Sequence, residues 1–137
     1  MAELTPASVK GRRLLVVDDE EGMRHMLGLV LARHGYIVSE ASNGVEAFER
    51  ICGGDIDVVL ADVRMPELDG LGLLKKIHAA KVPTTVIMMS AFVDLETAVE
   101  ALKMGAADYV SKPFKADEVL LKIRMAEARA RLEEEKA

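Results

Sequence analysis

Five short apolar runs, each followed by a stretch with helical periodicity, constrain the fold of this chain more than any other feature. The runs are Arg13 to Val17, Tyr36 to Glu40, Ile56 to Ala61, Thr84 to Met89 and Ala107 to Val110. The first, third and fourth are apolar almost without interruption, as in strands covered on both faces; half-solvated strands alternate instead. Between the runs, residues such as Leu95, Ala98, Val99 and Leu102 recur at the spacing of one helix face. Asn43-Gly44, Gly53-Gly54, Asp69-Gly70 and Gly105 punctuate the joins. Strand and helix repeated five times calls for a parallel sheet with helices on both faces.

The chain has 137 residues, enough for one domain with tails. Residues 1–11 mix Pro, Ser, Thr and Lys without periodicity and read as a loose lead-in; the domain is expected over 12–129. The last helix, Ala116 to about Glu135, is longer than the sheet requires. It carries one stripe of Val119, Ile123, Ala126 and Ala130, and a second of Leu121, Met125, Ala128 and Leu132 on the opposite side. One stripe can face the sheet while the other stays free, which suits either a solvated helix or a short coiled-coil linker; 130–137 is read as an extension of this helix, a linker toward a further domain in the second case. A net charge of −5 without a basic patch argues against nonspecific binding to nucleic acid or an anionic membrane. Cys52 is the only cysteine, and the apolar runs are far shorter than the ~20 residues that span a bilayer, so a cytoplasmic location is expected. Near a helix end, Cys52 reads as a small apolar residue rather than a reactive thiol.

In an open parallel sheet, functional groups collect at the carboxyl ends of the strands. Here the first strand ends in Asp18 and Asp19, the third in Asp62, the fourth in Ser90, and the fifth in Ser111 and Lys112. With the flavodoxin-like order 2-1-3-4-5, the doubly wound five-stranded α/β sheet expected here, strands one and three are neighbours. Asp18, Asp19 and Asp62 then form one cluster, and three carboxylates so close cannot all stay ionised without a cation. Mg²⁺ suits such oxygen ligands and keeps waters that a phosphate can displace. Singly, each residue has an ordinary explanation, such as a helix cap or a turn hydroxyl; their joint placement at one sheet edge points to phosphoryl chemistry. Glu20 or Glu21 is expected to cap the helix that follows Asp19.

These residues also carry a likeness. VVDDEEGMR (Val16 to Arg24), ADVRMPELDG (Ala61 to Gly70), MSA (Met89 to Ala91) and DYVSKPF (Asp108 to Phe114) resemble, in this order and spacing, the receiver domains of bacterial two-component response regulators. The stretch Ala91 to Phe114 is most similar to receivers of nitrogen-regulation-type, sigma-54-dependent enhancer-binding activators, which attach an ATPase and a DNA-binding domain. The resemblance implies that Asp62 accepts a phosphoryl group from a histidine kinase. It implies that Asp19, Asp62 and the backbone carbonyl of Arg64 ligate Mg²⁺ while Asp18 acts through metal-bound water. Lys112 and Ser90 would contact the phosphoryl group, and Tyr109 would be a switch aromatic. Met65, Pro66 and Gly70 would shape the loop after Asp62, with Gly70 at positive φ. Lys112-Pro113 would be a cis peptide, and Arg64 and Phe92 would tune phosphate lifetime. In that reading the helix from Asp94 to Met104 and the strand bearing Tyr109 shift, changing a surface for homodimerisation or for an output domain in transcription regulation.

Two rival readings share the acidic cluster. A phosphatase acting on external phosphomonoesters would commonly place a carboxylate two residues after the nucleophile, where this chain has Arg64. A pure interaction module would leave Asp18, Asp19 and Asp62 uncompensated, which costs stability.

Overall fold

The computed structural model describes residues 11–91 and 95–136. Its five strands are β1 (Arg13–Val17), β2 (Ile37–Ala41), β3 (Val58–Asp62), β4 (Thr85–Ala91) and β5 (Asp108–Lys112). All neighbours are parallel, in the order β2-β1-β3-β4-β5. The helices are α1 (Glu21–Arg33), α2 (Gly44–Gly53), α3 (Gly70–Ala80), α4 (Leu95–Lys103) and α5 (Ala116–Lys136). This is the doubly wound sheet that the five apolar runs call for.

Alternation along the strands divides the core into two layers. Leu14, Val16, Leu60, Met89 and Val110 pack with Leu27 and Leu31 of α1 and with Val119, Ile123 and Ala126 of α5. Leu15, Val17, Val59, Ala61 and Met88 pack against Ala47 and Ile51 of α2, Leu73 and Ile77 of α3, and Ala101 of α4. The three central strands are apolar along most of their length, Leu14–Val17, Val58–Ala61 and Val86–Met89, because both of their faces are covered.

β1 matches its expected bounds, whereas the other four strands start and end one or more residues later than the apolar runs. The ladder does not stop where apolar side chains do: Asp62 still pairs with Met89, and Ala91 with Lys112. Tyr36, expected to open β2, is instead buried in the turn after α1, where its backbone N–H donates to Leu31. Of the lead-in only Gly11 is described, and Phe92 and Asp94 lie outside the described residues.

Two of the expected joins are helix caps. Asn43 accepts from the Glu46 N–H at 2.8 Å and starts α2; Asp69 accepts from the Gly72 N–H at 2.8 Å and starts α3. The expected cap from Glu20 or Glu21 is different. Glu20 occupies the N-cap of α1 without a side-chain hydrogen bond, and the carboxylate at this turn is Asp18, which accepts from the Glu20 N–H at 2.9 Å.

At 21 residues, α5 runs about 31 Å, well beyond the strand it follows. Its two stripes separate in part: Val119, Ile123 and Ala126 are buried and Leu121, Met125 and Leu132 are exposed, while Ala128 and Ala130 are both half-buried. An unanticipated buried charge fastens this helix. Glu127 takes the Tyr36 hydroxyl at 2.7 Å and the Arg12 guanidinium at 3.0 Å, tying α5 to the amino-terminal edge of β1 and β2. Cys52 is exposed in the last turn of α2, not packed as an apolar residue.

Candidate functional site

Three strands deliver the polar residues to one place because their side chains stay in phase. Asp18 follows Leu14 and Val16, Asp62 follows Val58 and Leu60, and Lys112 follows Val110, all on the α1/α5 side of the sheet. Lys112, at the end of β5, sits two strands away from β3 and three from β1, and its long stem reaches across the strand ends between them. Its ammonium donates to Asp62 Oδ2 at 2.7 Å and to Asp18 Oδ2 at 3.0 Å. Asp18 is fully buried and Asp62 nearly so, whereas Asp19 faces solvent.

One oxygen from each of Asp18, Asp19 and Asp62 lies within 4.8 Å of the others. Two carboxylate charges at that separation repel by roughly 3 kcal/mol at an effective dielectric of about 20. Burial pushes the Asp62 carboxyl above its ordinary 3.8; Lys112 and the Arg64 amide oppose the rise, and the Asp18 charge adds to it. For Lys112, burial works downward, but the bonds to Asp62 and Asp18 outweigh it and hold the ammonium above its ordinary 10.5. The lysine is thus firmly charged, and its ammonium is bonded to two of the three carboxylates. This all-oxygen donor set with excess negative charge fits a hard divalent cation of the Mg²⁺ type.

Ser90 is fully buried, and its hydroxyl has no hydrogen-bond partner among the described residues. An orphaned buried hydroxyl at the end of β4 suits an oxygen-rich guest. The Arg64 N–H donates to Asp62 Oδ1 at 3.0 Å, so the loop after β3 folds back over the carboxylate. Met65 packs against the α2–α4 layer and Pro66 is exposed, its carbonyl accepting from the Leu68 N–H at 2.7 Å. The Lys112-Pro113 peptide is cis, as expected.

Gly70 is needed for a different reason from the one anticipated. Its φ is not positive; Glu67, at φ 66°, takes the left-handed turn of this loop. Instead, a Cβ on Gly70 would collide with the Met88 methyl and lie 2.7 Å from the Asp62 carbonyl oxygen. Gly44, which the sequence marks only as part of a join, is constrained in the same way: its N–H donates to the Leu68 carbonyl at 3.2 Å, and a Cβ there would strike that oxygen. Close backbone approach leaves no local sequence signal beyond the glycine itself.

Tyr109 is not part of the acidic cluster. It is half-buried on the other face of β5, packed against the α2–α4 layer, with the Lys122 ammonium 5.9 Å from its ring centroid. Arg24 was quoted in the sequence only as part of a motif. In the structure it donates to the Asp18 carbonyl at 2.7 Å.

The model of the response regulator receiver domain matches residues 14–124. The regulatory protein AtoC of Escherichia coli (strain K12) is 46% identical over 114 residues, 83% of this chain and 25% of AtoC. The chemotaxis protein CheY of Bacillus subtilis (strain 168) is 39% identical over 109 residues, 79% of this chain and 91% of CheY. The crystal structure of NtrX from Brucella abortus with ADP superposes with a TM-score of 0.85 at 33% identity, covering 91% of this chain and 29% of that one. The chain thus spans about a quarter of the length of AtoC. A matched model over most of the chain, a 2-1-3-4-5 sheet and an acidic edge bridged by a lysine together place it in the response regulator receiver domain family, with relatives of the nitrogen-regulation type.

Proposed function

We propose that this domain is a phosphorylation-controlled switch: a sensor histidine kinase donates a phosphoryl group to Asp62, with Mg²⁺ held by Asp19, Asp62 and the Arg64 carbonyl and by Asp18 through water. The observation that carries the reading is the convergence of three carboxylates within 4.8 Å, a lysine bonded to two of them, and a buried unpartnered serine hydroxyl. Mg²⁺, when bound, supplies charge neutralisation for the phosphoryl oxygens. Lys112 and the Arg64 N–H hold the two Asp62 oxygens and thereby orient the carboxylate toward an incoming phosphorus. An Asp62 oxygen forms the new P–O bond as the phosphohistidine P–N bond breaks, and the departing imidazole keeps the electron pair. Lys112 then offsets charge on the acyl phosphate, and the Ser90 hydroxyl donates to a phosphoryl oxygen.

Tyr109 and Ser90 are read as the switch elements that move α4 and β5. The exposed stripe of Leu121, Met125 and Leu132 supports a homodimer, and α5 supports covalent connection to an ATPase and DNA-binding output in transcription regulation. Among the described residues no helix is long and apolar enough to cross a membrane, consistent with a cytoplasmic role. A turnover phosphatase is disfavoured by Arg64 at the position of a general acid, exposed beside Asp62.

The test is labelling of the wild type and Asp62→Asn by a small phosphodonor with Mg²⁺. The wild type takes one phosphoryl group and the variant none; stoichiometric labelling of the variant would refute the assignment. Sedimentation with and without beryllofluoride tests the output, an unchanged oligomeric state arguing for the pure interaction module.

A further inference from the structure

Arg24 stands in a place that local helix energetics do not favour. It is the fourth residue of α1, and a cation in the first turn opposes the helix dipole. Its side chain is nevertheless only 16% exposed and is held on two sides. Nη1 donates to the Asp18 carbonyl at 2.7 Å, and Nε donates to Glu40 Oε1 at the end of β2 at 3.1 Å. The guanidinium is planar with its donors in a fixed fork, so the Glu40 contact sets the plane from which Nη1 reaches the carbonyl.

The other polar groups of Asp18 are engaged as well. Its N–H donates to the Ala41 carbonyl at 3.2 Å, Oδ1 accepts from the Glu20 N–H and Oδ2 from Lys112. Asp19 differs: it is exposed, and no hydrogen bond holds its carboxylate among the described residues. What fixes Asp19 is therefore the peptide that precedes it. A peptide unit is planar, so holding the Asp18 oxygen also fixes the Asp19 nitrogen and Cα.

We propose that Arg24 is a positioning residue for the acidic centre: by gripping the Asp18 carbonyl from α1, and being gripped by Glu40 of β2, it sets the peptide plane that presents Asp19 to the divalent cation. The inference rests on the reading that Asp18, Asp19 and Asp62 bind Mg²⁺. Arg24 bonds the Asp18 carbonyl and Glu40, not a carboxylate of the cluster, so its effect falls on metal affinity and not on the transfer step.

The experiment is calorimetric titration of the unphosphorylated protein with Mg²⁺, alongside the Mg²⁺ dependence of labelling by a small phosphodonor. Arg24→Met weakens Mg²⁺ binding about tenfold, the lower end of what partners one bond removed from a metal ligand supply. Its labelling rate at saturating Mg²⁺ stays within about twofold of wild type. Arg24→Lys keeps the charge but not the fork and binds at least about threefold more weakly than wild type; full affinity in this variant would mean that charge alone suffices, and would overturn the assignment. Arg129→Met removes an arginine-to-carbonyl bond of 3.0 Å at Ala107, away from the acidic cluster. It leaves Mg²⁺ affinity unchanged, and a parallel loss there would reveal general loosening and overturn the proposal. Should Arg24→Met not fold, Glu40→Gln carries the test with about threefold weakening. A wild type that binds no Mg²⁺ sinks the metal-site reading itself, whereas a wild type that binds and an Arg24→Met that binds equally sinks only the role of Arg24.

Discussion

Replacing Lys112 by Met removes a cation bonded to two buried carboxylates, and the structure sets the scale of the loss. The ammonium lies 2.7 Å from Asp62 and 3.0 Å from Asp18, with side-chain exposures of 18% for Lys112, 12% for Asp62 and zero for Asp18. Removing one partner of a fully buried pair destabilises by about 3–5 kcal/mol. Partial exposure of the lysine and proton uptake by Asp62 reduce this, so Lys112→Met should cost about 2–3 kcal/mol in metal-free buffer at neutral pH. For a chain of this size that is a fall of roughly 6–12 °C in Tm. Asp62 has a folded pKa above its unfolded value, so its charge destabilises the fold above the folded pKa and has no effect below the unfolded one. Loss of Lys112 enlarges that destabilisation at neutral pH, and the difference between variant and wild type shrinks as pH falls toward 3.8. The Lys112 pKa is raised, so its own contribution is whole below 10.5 and is lost as pH rises through the folded value. Saturating Mg²⁺ supplies the missing positive charge and should at least halve the difference, read from urea unfolding in EDTA and in Mg²⁺. A loss below about 1 kcal/mol in EDTA, or one indifferent to both Mg²⁺ and acid, would refute the view that Lys112 serves chiefly to compensate the carboxylates.

Three further outcomes are expected. Asp19→Asn weakens Mg²⁺ binding about tenfold by calorimetry, while Glu20→Gln and Glu21→Gln stay within about twofold, because only Asp19 of the three lies in the carboxylate cluster. Gly70→Ala destabilises by about 1–3 kcal/mol in urea unfolding; its Cβ meets the Met88 methyl and the Asp62 carbonyl, so Mg²⁺ affinity falls with it. Tyr36→Phe leaves one oxygen of buried Glu127 without its donor and costs about 1–2 kcal/mol at pH 7. Burial and Glu127 raise the Tyr36 pKa, so that contribution is whole below 10.0 and wanes as pH rises. Unfolding midpoints of the two proteins should therefore converge above pH 10; a constant gap would show that the hydroxyl proton is not held by Glu127.

The sequence alone determined the layering and the end of the sheet where chemistry sits. Apolar runs in β1, β3 and β4 announce strands buried on both faces, and the residues that break them, Asp18, Asp62 and Ser90, fall at carboxyl ends by chain order. Tertiary structure decided what depends on approach between segments remote in the chain. Nothing near Gly44 or Gly70 signals that each lies against the backbone of the β3–α3 loop. The pairing of Glu127 with Tyr36 and Arg12 spans 91 and 115 residues, and a glutamate on a helix ordinarily reads as solvated. Asp18 illustrates the division: its place at the end of β1 and its local bond to the Glu20 N–H are set within a few residues of the chain, but its contacts with Lys112 and Arg24 come from packing β5 and α1 around it. Periodicity reports which face a residue occupies; only the assembled sheet reports which partners reach that face, because hydrogen bonds are set by distances that chain order does not encode.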